Sequence, residues 1–179
     1  MNALGPVVEA LGRAVRNVPD FPQPGIQFKD ITPILGDPGL LRHAVDALAE
    51  PYRESGITKV VGIEARGFIF GGLLARELGA GFVPVRKPGK LPFETRRVEY
   101  ALEYGTDRVE MHVDALVPGD RVLIHDDVIA TGGTAAAAAR LAVRDGVHVE
   151  GFTFLIELGF LGGRRLLDER LRYHAVLQF

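Results

Sequence analysis

Two adjacent carboxylates, Asp126 and Asp127, follow the apolar run Arg121-Val122-Leu123-Ile124-His125 and precede Val128-Ile129-Ala130-Thr131-Gly132-Gly133-Thr134. Glycines let a backbone come close to a ligand, and the N–H groups that open a helix form an anion site. Thr131 and Thr134 add hydroxyl donors. Carboxylates repel a phosphate, so they serve something beside it. A diol is one candidate, because each carboxylate accepts hydroxyl hydrogen bonds; a divalent cation is the other. Phosphate, diol and cation together describe a ribose 5-phosphate. Asp-Asp alone is more often an acidic surface turn, and Thr-Gly-Gly-Thr alone is weak. The ordered combination of apolar strand, two acids, two apolar residues, small-residue turn and helix is far more specific. It lacks the Gly-Lys-Ser/Thr ending of a P-loop and the glycine spacing of a dinucleotide fingerprint.

Two other segments carry charge beside turn formers. Glu64-Ala65-Arg66-Gly67 follows a short apolar strand and opens a helix, and Arg66 offers a fork of donors suited to phosphate. Read alone, it is an ordinary strand–helix connection with a solvated arginine. Arg86-Lys87-Pro88-Gly89-Lys90 places three cations beside two turn formers, which in isolation is a solvated face. Cations there could equally steady a leaving group whose negative charge grows in the transition state.

These segments need a scaffold, and the chain spells one out. Helices are expected over about Leu4–Val15, from Asp37-Pro38 to about Tyr52, over Gly67–Leu78 closed by Gly79, over the alanine-rich Gly133–Arg144, and briefly over Gly162–Glu169. Prolines between Pro19 and Pro24 force an extended path. Strands are expected at Lys59–Ile63, Gly81–Arg86, Arg121–His125, Val147–Glu157 and Tyr173–Leu177. Val98–Leu102 and Arg108–Val113 flank a glycine-containing turn and read as an antiparallel pair, while 87–97 lose all pattern. Strands alternating with helices mean crossover units and a mainly parallel sheet, with ligands beyond the carboxyl ends of the strands. The loops after Ile63, Arg86, His125 and Glu157 are the ones to inspect.

Composition narrows the function classes. The chain of 179 residues is 47% hydrophobic and 25% charged, and it contains no cysteine. Those proportions are those of an ordinary folded domain. Disulfide scaffolds, thiolate metal sites and cysteine nucleophiles are therefore out. A net charge of -2 argues against nucleic acid as a partner. No apolar run reaches the roughly 18 residues of a membrane span, and no signal segment is visible, so a cytoplasmic protein is expected.

Residues 122–134, VLIHDDVIATGGT, resemble the 5-phosphoribosyl 1-diphosphate-binding motif of the type I phosphoribosyltransferases. The resemblance runs through nearly the whole chain, and within that family it is to the branch that uses adenine. It is carried further by PDFPQPGIQFKDITPIL (19–35), GIEARGFIFG (62–71), VRKPGKLP (85–92) and EYALEYGTDRVEMH (99–112), of which the first and last discriminate best. The resemblance implies an α/β fold, the type I phosphoribosyltransferase fold: a central, mainly parallel sheet flanked by helices, in a single domain over 1–179. A small N-terminal hood spans about 1–35 and a flexible β-hairpin lid about 88–107.

It also implies roles. Asp126 and Asp127 hold the ribose hydroxyls and reach Mg2+, mainly through water; Ala130, Thr131, Gly132, Gly133 and Thr134 hold the 5′-phosphate. Glu64, Ala65, Arg66, Arg86, Lys87 and Lys90 form the diphosphate region, with a non-proline cis peptide near Glu64–Arg66 and with Arg86 reaching a neighbouring subunit of a homodimer. Arg66, Lys87 and Glu103 are the catalytic set, Glu103 handling the proton on the imidazole edge of the base. Phe28 stacks on adenine, and the backbones of Gln27 and Lys29 read its edge. Ala130 stands where the 6-oxopurine members carry an acid, which favours adenine over hypoxanthine, guanine or xanthine. The products are AMP and diphosphate. A non-catalytic sensor of the sugar diphosphate is the alternative from another class. His125 reads as a core or neighbour contact, not a catalyst.

Overall fold

The computed structural model describes residues 4–101, 105–144 and 146–179, and the chain divides into two compact units, Met1–Ala47 and Leu48–Phe179. In the first, α1 (Leu4–Ala14) packs on a short α2 (Thr32–Gly36). Between them lies an antiparallel pair that the proline-rich sequence concealed, β1 (Arg16–Pro19) and β2 (Gln27–Asp30), in which Val18 faces Phe28. Their connection is fixed by Asp20, whose Oδ1 accepts the Gly25 N–H at 2.7 Å. The Phe21–Pro22 peptide is cis. The α3 helix (Pro38–Ala49) starts as expected. Asp37 Oδ1 accepts the N–H groups of Gly39 and Leu40, both at 2.8 Å. Such an acceptor satisfies donors that a helix start leaves open. A 3-10 turn continues the helix to Tyr52.

The second unit is built on five parallel strands: β3 (Lys59–Ile63), β4 (Gly81–Val85), β7 (Arg121–Ile129), β8 (His148–Glu157) and β9 (Arg172–Gln178). Their order is β4-β3-β7-β8-β9. The chain leaves β3 toward β4 and later returns to the other side of β3 with β7. The loops that follow β3 and β7 therefore diverge at the switch point, where an open parallel sheet leaves a crevice. Two helices cover the sheet, α4 (Gly67–Glu77) and α5 (Gly133–Ala142). Val61, Ile63, Val122, Ile124, Phe152 and Phe154 pack with the alanines of α5 into the main core. His125 turns the other way, toward Phe70 of α4.

The antiparallel hairpin β5 (Thr95–Ala101) and β6 (Thr106–His112) is longer than its pattern predicts and begins inside 87–97. Tyr100, Val109 and Met111 are buried in the main core, and Arg86 and Glu110 bridge the hairpin to the end of β4 through paired backbone hydrogen bonds of 3.0 and 2.7 Å. The base of the hairpin is thus anchored. The segment expected to be helical at Gly162–Glu169 is instead made of 3-10 turns, Gly159–Leu161 and Gly163–Leu166. Glycines are poor helix formers, and these serve a close contact described below. No helix among the described residues is long and apolar enough to cross a membrane.

Candidate active site

Strand β7 does not stop at His125. It pairs with β8 as far as Ile129, so Asp126 and Asp127 sit inside the last stretch of a buried strand and not in a loop beyond it. Pairing with β8 on one side, and Arg66 and Gly67 packed against the two aspartates, fix them to a degree a surface turn would not. Asp127 is only 3% exposed, and its N–H donates to Asp126 Oδ1 at 2.8 Å. Burial raises the proton affinity of both carboxylates, and at Asp126 the charge of Asp127 adds to it. Arg66 opposes this: its Nε lies 2.8 Å from Asp127 Oδ2, an ion pair without hydrogen-bond alignment.

Beyond β7 the chain turns through Gly132, whose φ is 81°, and enters α5 at Gly133 with no side-chain cap. Glycine adopts that left-handed conformation without steric cost, and an uncapped start leaves N–H groups open. Asp126, Ala130, Thr131, Gly132 and Thr134 line a small cavity of about 100 Å³. It combines the N-terminus of α5, hydroxyl donors and the Asp126 carboxylate. A larger cavity, about 430 Å³, lies along α5 among Ala136, Ala139, Val149 and Phe152, and neither Asp126 nor the 130–132 turn lines it.

The loop after β3 meets this site from the other side of the crevice. The Glu64–Ala65 peptide is cis, as the family resemblance implies. Gly67 opens α4 hard against β7: a Cβ there would lie 2.7 Å from Asp126 Oδ1 and 3.1 Å from Asp126 Cα. Glu64 reaches toward the end of β4, where its two carboxylate oxygens accept from Arg86 Nη2 at 2.7 Å and the Lys87 N–H at 2.8 Å. The Arg86 hydrogen bond holds the Glu64 carboxyl below the ordinary range. Arg86 also donates to the Lys90 carbonyl at 3.0 Å and lies over the Phe68 ring. Each of these Arg86 contacts is to its own chain. Lys90 is exposed.

Lys87 pairs with Asp107 of β6 and lies 3.4 Å from the Tyr100 hydroxyl. Burial pulls its pKa down, but the bonds to Asp107 and Tyr100 outweigh that and leave it raised. Burial would raise Asp107, yet Lys87, the Arg108 N–H and Tyr100 bring it down. The Tyr100 hydroxyl bridges the two halves of the site, 3.0 Å from Asp107 Oδ2 and 2.9 Å from Thr134 Oγ1. Glu103 lies outside the described residues. Gln27, Phe28 and Lys29 form β2 of the N-terminal unit, where Phe28 meets Phe21 edge-on at 5.1 Å and Lys29 Nζ donates to Asn17 Oδ1 at 2.7 Å.

Residues 34–153 match the family model of the phosphoribosyl transferase domain. The adenine phosphoribosyltransferase of Anaeromyxobacter dehalogenans is 54% identical over 97% of this chain and 100% of its own. The crystal structure of the enzyme from Rhodothermus marinus superposes with a TM-score of 0.93 at 64% identity, covering 97% of this chain and 99% of that one. The chain belongs to the adenine phosphoribosyltransferase family. A third adenine phosphoribosyltransferase, from Saccharomyces cerevisiae and solved with adenine and an imino-altritol bisphosphate, matches at 43% identity and a TM-score of 0.89 over 96% of this chain and 99% of its own.

Sequence reading does not single out four residues that make contacts around the site: Tyr100, Asp107, Glu110 and Gly163. The double glycine at 162–163 was the one available signal, since two glycines after a buried strand mark a close backbone approach as readily as a helix start. Glu110, 4% exposed, carries no sequence signal at all.

Proposed function

We propose that this chain joins the 5-phosphoribosyl group of 5-phosphoribosyl 1-diphosphate to adenine, releasing diphosphate and forming AMP. This is the adenine phosphoribosyltransferase reaction (EC 2.4.2.7), which returns a free purine to the nucleotide pool. The contact of Arg66 with Asp127 carries the reading, because it puts a diphosphate-type cation and the ribose-type carboxylates in one crevice. In this reading Asp126 and Asp127 accept hydrogen bonds from the two ribose hydroxyls, and the backbone N–H groups and hydroxyls of Ala130–Thr134 hold the 5′-phosphate. That fixes the anomeric carbon between the two loops.

The bond from the anomeric carbon to the diphosphate oxygen breaks, and its electron pair leaves with the diphosphate. A purine ring nitrogen forms the new bond from the opposite face, with inversion. Arg66 and Lys87 meet the charge that grows on the leaving group, so they stabilise the transition state more than the ground state. Lys87 must exchange Asp107 for that anion. Glu64 serves by holding Arg86 and the Lys87 backbone in place. The proton lost from the base passes to Glu103. Phe28 stacks on the adenine ring, with the backbones of Gln27 and Lys29 reading its edge. Backbone reading separates adenine from oxopurines, whose donor and acceptor are reversed, because a buried polar group left unmet is costly.

The residues present fit a magnesium ion carried in on the substrate. Asp127 Oδ2 is buried without a hydrogen bond, and burial makes both carboxylates costly to charge, which a cation relieves. Among the described residues no group of three or more His, Asp or Glu could hold a metal by itself. Bound there, the ion would neutralise diphosphate charge and keep part of its water shell. A highly charged sugar diphosphate does not cross a bilayer unaided, so the reading places the chain in the cytoplasm with its substrates, as a homodimer. Calorimetric titration with 5-phosphoribosyl 1-diphosphate and magnesium tests it. Asp126→Asn with Asp127→Asn should weaken binding at least a hundredfold; unchanged affinity would remove the ribose assignment.

A further inference from the structure

Gly163 lies in the loop after β8, which the proposed reaction gives no role, yet its backbone lies directly against the loop read as the 5′-phosphate cradle. A Cβ built on Gly163 would overlap the Ala130 carbonyl oxygen, with Gly132 N at 2.8 Å and the Thr131 carbonyl carbon at 2.9 Å. All three atoms are backbone of that cradle. The contact is reciprocal: a Cβ on Gly132 would overlap the Gly163 carbonyl oxygen and lie 3.1 Å from Gly163 Cα. Two glycine backbones therefore touch where no side chain could intervene.

We infer that Gly163 is a positioning residue for the 5′-phosphate loop, setting from behind the shape that Ala130–Gly132 present to the phosphate. The inference rests on the proposed role of that loop. Gly132 needs its glycine twice over, for a φ of 81° and for space. Gly163 is not among the positive-φ glycines, so space alone demands it.

The wall behind the cradle cannot simply step back. Leu158 N–H donates to the Ile129 carbonyl at 2.9 Å, and Gly159 N–H to the Phe179 carbonyl at 2.9 Å, so the loop is tied to both β7 and the C-terminal end. Gly162, at φ 65°, joins two 3-10 turns closed by hydrogen bonds of 3.1 and 3.0 Å. A methyl group at Gly163 therefore displaces the softer partner, which is the cradle with its αL glycine and uncapped helix start. Backbone N–H groups aimed at an anion lose value steeply when they move by a fraction of an ångström.

Gly163→Ala should raise the KM for 5-phosphoribosyl 1-diphosphate about tenfold and weaken AMP and ribose 5-phosphate by the same factor. Turnover at saturating sugar diphosphate should stay within about twofold, as should inhibition by free diphosphate, which has no 5′-phosphate. Gly159→Ala is the control in the same loop, because a Cβ there meets only the Phe179 carbonyl at 3.7 Å; it should match the wild type. Equal weakening of diphosphate and ribose 5-phosphate, or no change in either, overturns the inference. Thr131→Ala with Thr134→Ala separates it from the reading beneath it. If that pair leaves ribose 5-phosphate binding intact, the cradle assignment fails. If the pair weakens binding and Gly163→Ala does not, only the role of Gly163 fails. Hydrogen exchange on the wild-type chain needs no variant: ribose 5-phosphate should protect amides of 162–165 together with those of 131–134. Protection confined to 131–134 contradicts the coupling.

Discussion

Protonating His125 in the folded chain is costly, and the cost can be read as a pH slope. The ring is fully buried in β7, its Nδ1 bonds to the Thr153 carbonyl at 3.0 Å, and its Nε2 has no hydrogen-bond partner. The carbonyl accepts, so Nδ1 carries the proton and the ring is neutral. Burial drives its pKa down from 6.5 to about 4, and the hydrogen bond to Thr153 offsets only part of that. In the unfolded chain it titrates near 6.5. Above that pH both states are neutral and nothing is lost. As pH falls from 6.5 toward 4, the unfolded chain binds a proton that the folded chain refuses. Stability then declines by about 1.4 kcal/mol per pH unit, roughly 3 kcal/mol by pH 4. His125→Val abolishes that slope. The Thr153 carbonyl loses this hydrogen bond at every pH, a constant cost of about 1–3 kcal/mol. Urea unfolding of both proteins at pH 7, 5.5 and 4.5 checks the prediction. The wild-type advantage should shrink by roughly 2–3 kcal/mol between pH 7 and 4.5. An advantage that stays constant with pH refutes the buried-neutral assignment.

Two further expectations concern the crevice. Gly67→Ala forces a methyl group to within 2.7 Å of Asp126 Oδ1, so the carboxylate must move. The KM for the sugar diphosphate should rise by about tenfold or more while the KM for adenine holds, as steady-state kinetics would show. On the proposed roles, Arg66→Ala removes a cation from the leaving group and should lower kcat/KM by about 10²–10³. It also removes the charge that restrains the Asp127 pKa, which burial has raised. The proposed ribose contacts need ionised carboxylates, so the acid limb of the pH–rate profile should move to higher pH; a limb that stays put would separate Arg66 from the pair.

Much of the site was legible in the sequence because its loops follow strands whose apolar character is unambiguous. Lys59–Ile63 and Arg121–His125 read as strands, and the switch-point rule then pointed to the loops at Glu64 and Ala130. The length of β7 was not legible, because adjacent aspartates are poor strand formers and only pairing with Phe154 and Ile156 holds that segment extended. The β1–β2 pair was hidden by prolines that in isolation argue against any ladder, although Pro19 sits at a strand end where its missing N–H is tolerated. Asp107 reads as a turn residue beside Gly105 and becomes the partner of Lys87 only through the register of β5 with β6. Gly163 shows the same limit. Its role is a clash avoided against Gly132, on a loop far away in the chain, and local propensity records nothing of that.

The most direct measurement offers adenine, hypoxanthine, guanine and xanthine in parallel, with 5-phosphoribosyl 1-diphosphate and magnesium, and follows the nucleotide formed. AMP from adenine, with no nucleotide from the three oxopurines, is the predicted result. Turnover of an oxopurine in place of adenine would contradict the base assignment carried by the N-terminal unit and Ala130 while leaving the phosphate loop standing.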